Sequence, residues 1–161
     1  MIVVLMGVSG VGKTTVGELL GQKTGWAFYD ADQFHSPANI EKMRSATPLT
    51  DDDRWPWLDR LNALLRAAQD RHESVILACS ALKQIYRERL AQGIDTVRWV
   101  HLHGDFALIK ARLESRKGHY MSADLLRSQF STLEAPEQAL HIDVSEDPAA
   151  VADDLYRQLR V

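Results

Sequence analysis

Short apolar runs alternate along this chain with longer stretches in which apolar residues recur every three or four positions. Ile2-Val3-Val4-Leu5-Met6 is unbroken apolar sequence, the pattern of a strand buried on both faces of a parallel sheet. Val16, Leu19 and Leu20 then follow a helical period between Thr15 and Lys23, and Gly25 stands where a helix would stop. Trp26 to Tyr29 reads as a second strand ending at Asp30-Ala31-Asp32. Ser36 followed by Pro37 pairs an N-cap with a proline at the first helical position, so a helix is expected through Asn39, Ile40 and Met43.

Leu58, Leu61, Leu64, Leu65 and Ala68 mark a long helix. Asp51, Asp52 and Asp53 precede that pattern and favour a helix start through the dipole. Pro56 is expected in the first turn, where its missing N–H costs nothing. Ser74 to Cys79 is a third strand, and a helix follows from about Leu82 to Leu90. Val97 to His103 is a fourth strand; Gly104-Asp105 then leads into a helix to about Arg116. Ser122 caps a helix carrying Leu125, Leu126, Phe130 and Leu133, Ala139 to Val144 is a fifth strand, and Asp147-Pro148 opens a last helix.

Strands separated by helices pair in parallel through right-handed crossovers. The predicted fold is therefore α/β: one doubly wound parallel sheet of about five strands with helices on both faces. A single domain over residues 1–161 is expected. Ligands of such sheets bind at the carboxyl ends of strands. Gly7 to Thr14, Asp30 to His35, and Cys79 to Lys83 all fall at such ends.

Composition narrows the partners. The 161 residues are 25% charged and 45% hydrophobic, ordinary for a globular protein, with a formal net charge of −3. Neither nucleic acid nor an anionic membrane is expected as a partner, so any positive charge acts locally. Cys79 is the one cysteine, which excludes an internal disulfide and fits a reducing compartment. With no signal-peptide pattern at Met1 to Met6 and no apolar run long enough for a membrane, the expected location is the cytoplasm.

The most specific chemistry lies at Gly7-Val8-Ser9-Gly10-Val11-Gly12-Lys13-Thr14, a complete G-x-x-x-x-G-K-[ST] loop between a strand and a helix. Its glycines bring backbone N–H groups against phosphate oxygens, and the next helix adds its positive end. Lys13 can reach β- and γ-phosphates, and the Thr14 hydroxyl can ligate Mg²⁺. A plain turn would need one or two of these residues, so a nucleoside triphosphate is the expected ligand.

Other groups offer roles around that phosphate. Asp30 and Asp32 could support Mg²⁺ or accept a hydroxyl proton, and the third strand ends in Ala78-Cys79-Ser80 without the acid that many P-loop enzymes place there. His35 either donates to a polar substrate or simply precedes a helix cap. Arg54 suits a carboxylate, whereas Asp51 to Asp53 read as a capped helix start, and Trp55 and Trp57 as core or interface. Lys83 and Arg87 are four apart with no acid at the preceding turn, so an anion is expected between them. Arg112, Arg116, Lys117 and His119 form a basic cluster beside Gly118, the pattern of an arginine-bearing lid over about residues 116–128. Cys79 reads as a small buried hydrophobe.

Taken together, these stretches resemble the gluconate kinases, a P-loop family related to shikimate and adenylate kinases. The likeness covers nearly the whole chain. It is carried by Met6 to Lys13, Tyr29 to Asp32, His35 with Asn39 to Met43, Pro48 to Arg54 with Pro56-Trp57-Leu58, Ala78 to Lys83 with Tyr86-Arg87, and Arg116 to Met121 with Ser128-Gln129-Phe130 and Leu133-Glu134. One departure is Ser36, which stands between His35 and Pro37 where the family has proline directly after the histidine.

The resemblance implies ATP on Gly10 to Thr15, Mg²⁺ at Thr14, and Asp32 as acceptor of the proton of the gluconate 6-hydroxyl. It implies Arg54, Lys83 and Arg87 on the gluconate carboxylate and hydroxyls, with His35 and His119 lining the pocket and residues 36–72 forming the substrate side. Arg116 would meet the transferring phosphate, Arg112 would lie on the adenine, and Asp143 to Glu146 would flank the base. A homodimer is the family's common state. The activity so implied is ATP-dependent phosphorylation of D-gluconate. A kinase for another small hydroxy acid is the nearest rival. A nucleotide switch is disfavoured because no Asn-Lys-x-Asp stretch occurs.

Overall fold

The five apolar runs form one all-parallel sheet in the order β2-β3-β1-β4-β5. The structure is a computed structural model that describes residues 1–116 and 122–159. Its strands are β1 (Ile2–Met6), β2 (Ala27–Asp30), β3 (Val75–Ala78), β4 (Val97–His103) and β5 (Leu140–Asp143). Its helices are α1 (Lys13–Thr24), α2 (Pro37–Arg44), α3 (Asp51–Asp70), α4 (Gln84–Leu90), α5 (Phe106–Glu114), α6 (Ala123–Thr132) and α7 (Pro148–Leu159), with a 3₁₀ turn over Ala31–Phe34. This is the expected doubly wound α/β architecture.

The central strand is β1, every residue of which is buried. Its alternate side chains feed two cores. Val3 and Leu5 pack with Val16 and Leu20 of α1, Ile109 of α5, and Val151 and Leu155 of α7. Val4 and Met6 pack with Leu58, Leu61 and Leu65 of α3 and Tyr86 of α4. A strand buried on both faces has no room for polar alternation, which is why its sequence is unbroken apolar.

Close packing also fixes one glycine. A Cβ on Gly17 would lie 2.2 Å from Cε1 of Phe28, so the missing side chain lets α1 lie against β2.

Two helix starts differ from expectation. The long helix begins at Asp51 rather than near Pro56. Thr50 Oγ1 accepts from the Asp53 backbone N–H, and the Asp53 carboxylate accepts from the Thr50 N–H, a reciprocal cap that pulls the start forward. The three acids thus form the first turn, and Pro56 is helix interior. The proline leaves the Asp52 carbonyl without its helical donor, but both residues are exposed and water can serve it. In the second case α4 begins at Gln84, with Lys83 as its N-cap in extended conformation and Ala81 at φ 44°. Lys83 and Arg87 therefore do not share a helical face.

The registers place Leu5 and Asp30 both level with Ala78. The chain leaving β1, β2 and β3 therefore meets at one edge of the sheet, and the candidate site lies there.

Candidate active site

The loop from Gly7 to Thr14 leaves β1 in a conformation that only glycine adopts easily. Gly7, Gly10 and Gly12 have φ of 146°, 88° and 94°. A Cβ on Gly7 would lie 2.4 Å from the Leu102 carbonyl oxygen, so the loop starts hard against β4. Its N–H donates to the Ser80 carbonyl at 3.3 Å. Gly12 is the N-cap of α1 and offers no side chain to that helix's first N–H groups. Uncapped N–H groups at a helix start suit an anion.

Lys13 folds back over this loop. Its Nζ donates to the carbonyls of Gly7 at 2.8 Å and Val8 at 3.0 Å. Loss of hydration pulls its pKa down to about 8, against the opposing pull of Asp32, Cys79 and Asp30. Ser9 and Gly10 rest on two different helices. The Ser9 N–H donates to Gln129 Oε1 at 2.7 Å, and Gln129 Nε2 returns a bond to Ser9 Oγ at 3.1 Å. A Cβ on Gly10 would lie 2.7 Å from Cγ of Leu113 on α5.

The two carboxylates ending β2 have different surroundings. Asp30 caps the 3₁₀ turn: its Oδ1 accepts from the Asp32 N–H at 3.0 Å, and its Oδ2 accepts from Thr14 Oγ1 at 3.2 Å. Asp32 stands beyond it, open to the cleft but crowded by protein. Desolvation raises its pKa, Asp30 raises it further, and Lys13 pulls it back. One acid is held by two hydrogen bonds; the other has its charged form disfavoured by burial and by its neighbour. Buried Cys79 is pushed up to about 12, so it stays a thiol, consistent with its reading as a small hydrophobe.

Thr14 and Asp30 offer two hard oxygen donors side by side. That donor set fits Mg²⁺, which takes one or two protein oxygens and completes its shell with phosphate and water. Among the described residues no group of three acids, histidines or cysteines could hold a metal by itself.

At the end of the 3₁₀ turn, His35 stacks on Trp57 with ring centroids 4.2 Å apart and planes at 14°. Trp57 is buried, as the sequence suggested, and its Nε1 donates to the Ala31 carbonyl at 2.7 Å. Burial, with Arg60 and Arg54 nearby, lowers the pKa of His35 to about 4, so the ring is neutral at pH 7. Arg54 Nη1 donates to the Leu49 carbonyl at 3.0 Å and to Tyr86 Oη at 3.2 Å, and its guanidinium lies 5.1 Å over the Tyr86 ring. Lys83 Nζ stands 5.7 Å from the same ring. Tyr86 donates to Asp51, and burial together with that bond pushes its hydroxyl up to about 12. Tyr86 thus gathers Arg54 and Lys83, an organising role that its sequence position alone did not reveal.

Arg87, expected with Lys83 around an anion, is 3% exposed and turns inward, donating to the carbonyls of Ala81 and Glu134, each at 2.7 Å, and to Gln84 Oε1. Carbonyl oxygens, not an intervening anion, explain the lack of an acidic partner one turn before it. Arg112 Nη2 reaches the carbonyls of Ser145 and Glu146 at 3.4 and 3.3 Å, joining α5 to the loop after β5. Arg116 is exposed at the end of α5, near enough for its charge to act on Lys13. Val8 and Val11 are buried beneath the loop, and Thr15 lies exposed on α1. His119 and residues 117–121 of the expected lid lie outside the described residues, and the rest of that range is largely α6.

Gln129 and Asn39 are contacts that the residue pattern did not single out for a role. Asn39 sits inside α2 with its amide 3.3 Å from His35 Nδ1. Nothing in periodicity marks a buried amide, because both residues also satisfy an ordinary helix pattern.

The shikimate kinase family model matches residues 9–159. A probable gluconokinase of Xenopus tropicalis is 44% identical, over 96% of this chain and 91% of its own. A gluconokinase of Gluconobacter oxydans (strain 621H) is 41% identical, over 98% of this chain and 90% of its own. The crystal structure of a gluconokinase from Sinorhizobium meliloti 1021 superposes with a TM-score of 0.85 at 38% identity, covering 99% of this chain and 95% of that one. At these identities over nearly the whole length of both chains, the chain belongs to the gluconokinase family of P-loop kinases.

Proposed function

We propose that the protein transfers the γ-phosphoryl group of ATP to the 6-hydroxyl of D-gluconate, giving 6-phospho-D-gluconate. The observation that carries this reading is the placement of Asp32. It is a carboxylate raised in pKa within the field of Lys13, on the 3₁₀ turn that ends at His35, whose ring in turn lies in the field of Arg54. A basic carboxylate beside a phosphate loop suits removal of a hydroxyl proton as that oxygen attacks phosphorus. Arg54 and Lys83, gathered on Tyr86, suit an acceptor that carries a carboxylate.

In this reading Lys13 neutralises the transferring phosphoryl group and Arg116 approaches it from α5. Arg54 and Lys83 hold the carboxylate end of gluconate, His35 and His119 line the polyol, and Arg112 lies on the adenine. Thr14 and Asp30 would hold Mg²⁺, which when bound supplies positive charge to the phosphate oxygens. The chain's own work is to position acceptor and donor in line and to take up one proton at Asp32. The reading also takes the enzyme to be a cytoplasmic homodimer, supported by its family and by the lone buried thiol of Cys79.

A coupled assay of ADP release tests the proposal. The expected result is turnover with D-gluconate far above that with other aldonates, shikimate or nucleoside monophosphates. Turnover restricted to shikimate or another hydroxy acid would overturn the choice of substrate. Sedimentation of the purified chain tests the dimer.

A further inference from the structure

Asn39 is 5% exposed, inside the first turn of α2. Its backbone N–H is capped by Ser36 Oγ at 3.1 Å, which fixes where its side chain starts. Its Nδ2 donates to the backbone carbonyl of Asp53 at 2.9 Å. A carbonyl oxygen only accepts, so the amide edge facing Asp53 must be the nitrogen, and the orientation of the amide follows from chemistry.

That same nitrogen lies 3.3 Å from His35 Nδ1. It carries a second N–H and no lone pair to offer, so the ring nitrogen facing it must be the acceptor. A neutral imidazole with an unprotonated Nδ1 carries its proton on Nε2. The ring itself has little freedom to escape this choice. It is stacked on Trp57, which is anchored to Ala31. The Asp53 carbonyl belongs to the residue before Arg54, so one amide ties His35 to the first turn of α3 beside that arginine.

We propose that Asn39 is a positioning residue: it holds His35 in the Nε2–H tautomer, so that the ring edge away from α2 is a hydrogen-bond donor for an oxygen of the acceptor substrate. The inference rests on the reading of this cleft as the acceptor site. It assigns His35 a fixed polarity, so the matching substrate atom is one that accepts, a carboxylate or a hydroxyl oxygen. A fixed donor also favours a polyol acid over an analogue lacking the matching oxygen, because the N–H would then be left unpaired.

Two-bond ¹H–¹⁵N correlation spectra of the full-length protein test this, with the His35 signals assigned by their loss in His35→Gln. The expected wild-type pattern near pH 7.5 is a protonated Nε2 and an unprotonated Nδ1. An Nδ1–H pattern would overturn the proposal without any variant. Asn39→Asp replaces the donor by an acceptor, and it is expected to move the proton to Nδ1. The same variant should raise the gluconate KM by about tenfold or more while the ATP KM stays within about twofold. A moved proton with an unchanged gluconate KM would overturn the donor role. If the wild-type enzyme phosphorylates a different acid, the choice of gluconate fails while the tautomer result still decides the role of Asn39.

Discussion

Thr14 Oγ1 donates to Asp30 Oδ2 across 3.2 Å, so the first turn of α1 is joined to the end of β2 over the carboxyl end of β3. The bond crosses a strand end occupied by Cys79 and Ser80, small residues that leave the space clear. It separates the roles of the two acids. Asp30 is spent on Thr14 and on the Asp32 N–H, while Asp32 keeps its carboxylate for the cleft.

Replacing each acid should therefore have a different signature. Asp32→Asn keeps the shape but cannot accept a proton, so kcat should fall by about two orders of magnitude or more with ATP binding intact. Asp30→Asn removes charge from the Thr14 pair, so its main effect should be a higher Mg²⁺ concentration for half-maximal rate. Steady-state kinetics with Mg²⁺ varied separates the two. Similar profiles for both variants would show that the acids share one role.

Lys13 gives a second test, in the pH dependence of nucleotide binding. Its pKa in the free protein lies at about 8, so the ammonium is fully charged below that value and is lost as pH rises above it. Phosphate oxygens favour the charged form, so binding takes up a proton above about pH 8. The Kd for ATP should be flat below pH 8 and should rise by up to about tenfold per pH unit above it. Titration calorimetry in buffers of different ionisation heat reads both the affinity and the proton uptake. Lys13→Met should bind more weakly and lose the slope.

How much of this was legible in the sequence depends on what each feature needed. The five strands and the phosphate loop were readable because each is local: an apolar run, a spacing of glycines, a lysine before a threonine. The cap at Thr50 was readable in principle, since Thr50 and Asp53 stand at the right separation, yet Pro56 drew attention to a later start. The contacts of Tyr86 and Gln129 were hidden for another reason. Tyr86 meets Asp51 from 35 residues away and Gln129 meets Ser9 from 120 away, and no local pattern encodes such pairs. Arg87 shows the same limit, since the carbonyls that serve its guanidinium in place of a neighbouring acid include that of Glu134, 47 residues away.

That distinction between Lys83 and Arg87 can be measured. Lys83 is half-buried at the N-cap of α4, beside Tyr86, whereas Arg87 is closed in by protein acceptors. Lys83→Ala should raise the gluconate KM far more than the ATP KM and leave the denaturation midpoint nearly unchanged. Arg87→Ala leaves the buried carbonyl of Ala81 without its donor, at about 1–3 kcal/mol before any relaxation, and loses the part-buried bond to the Glu134 carbonyl, at about 1 kcal/mol. Its expected effect is a loss of stability of about 2–4 kcal/mol by urea denaturation, with the KM of the remaining folded enzyme little altered. A large KM effect at unchanged stability for Arg87→Ala would return it to the substrate side.

Acid stability tests His101, the one buried histidine among the described residues. His101 on β4 is 6% exposed, with Nδ1 3.1 Å from Nδ1 of His141 on β5 and Nε2 buried without a partner. Burial, then His141, His103 and Arg87, lower its pKa from 6.5 to about 4. An unfolded chain therefore takes up the proton before the folded one does. Between about pH 6.5 and pH 4 the unfolded state binds more protons, so stability falls as pH falls through that window and is unaffected by this group above it. His35, also held at about 4, acts in the same sense, while Asp32, whose pKa is raised, acts against them as the solution is acidified. The contribution of His101 is at most about 3 kcal/mol at pH 4. His101→Leu removes the titration and fills the site with an apolar side chain, so its urea midpoint should vary less between pH 6.5 and 4.5 than that of the wild type. An equal slope in both proteins would mean that His101 does not carry the acid sensitivity.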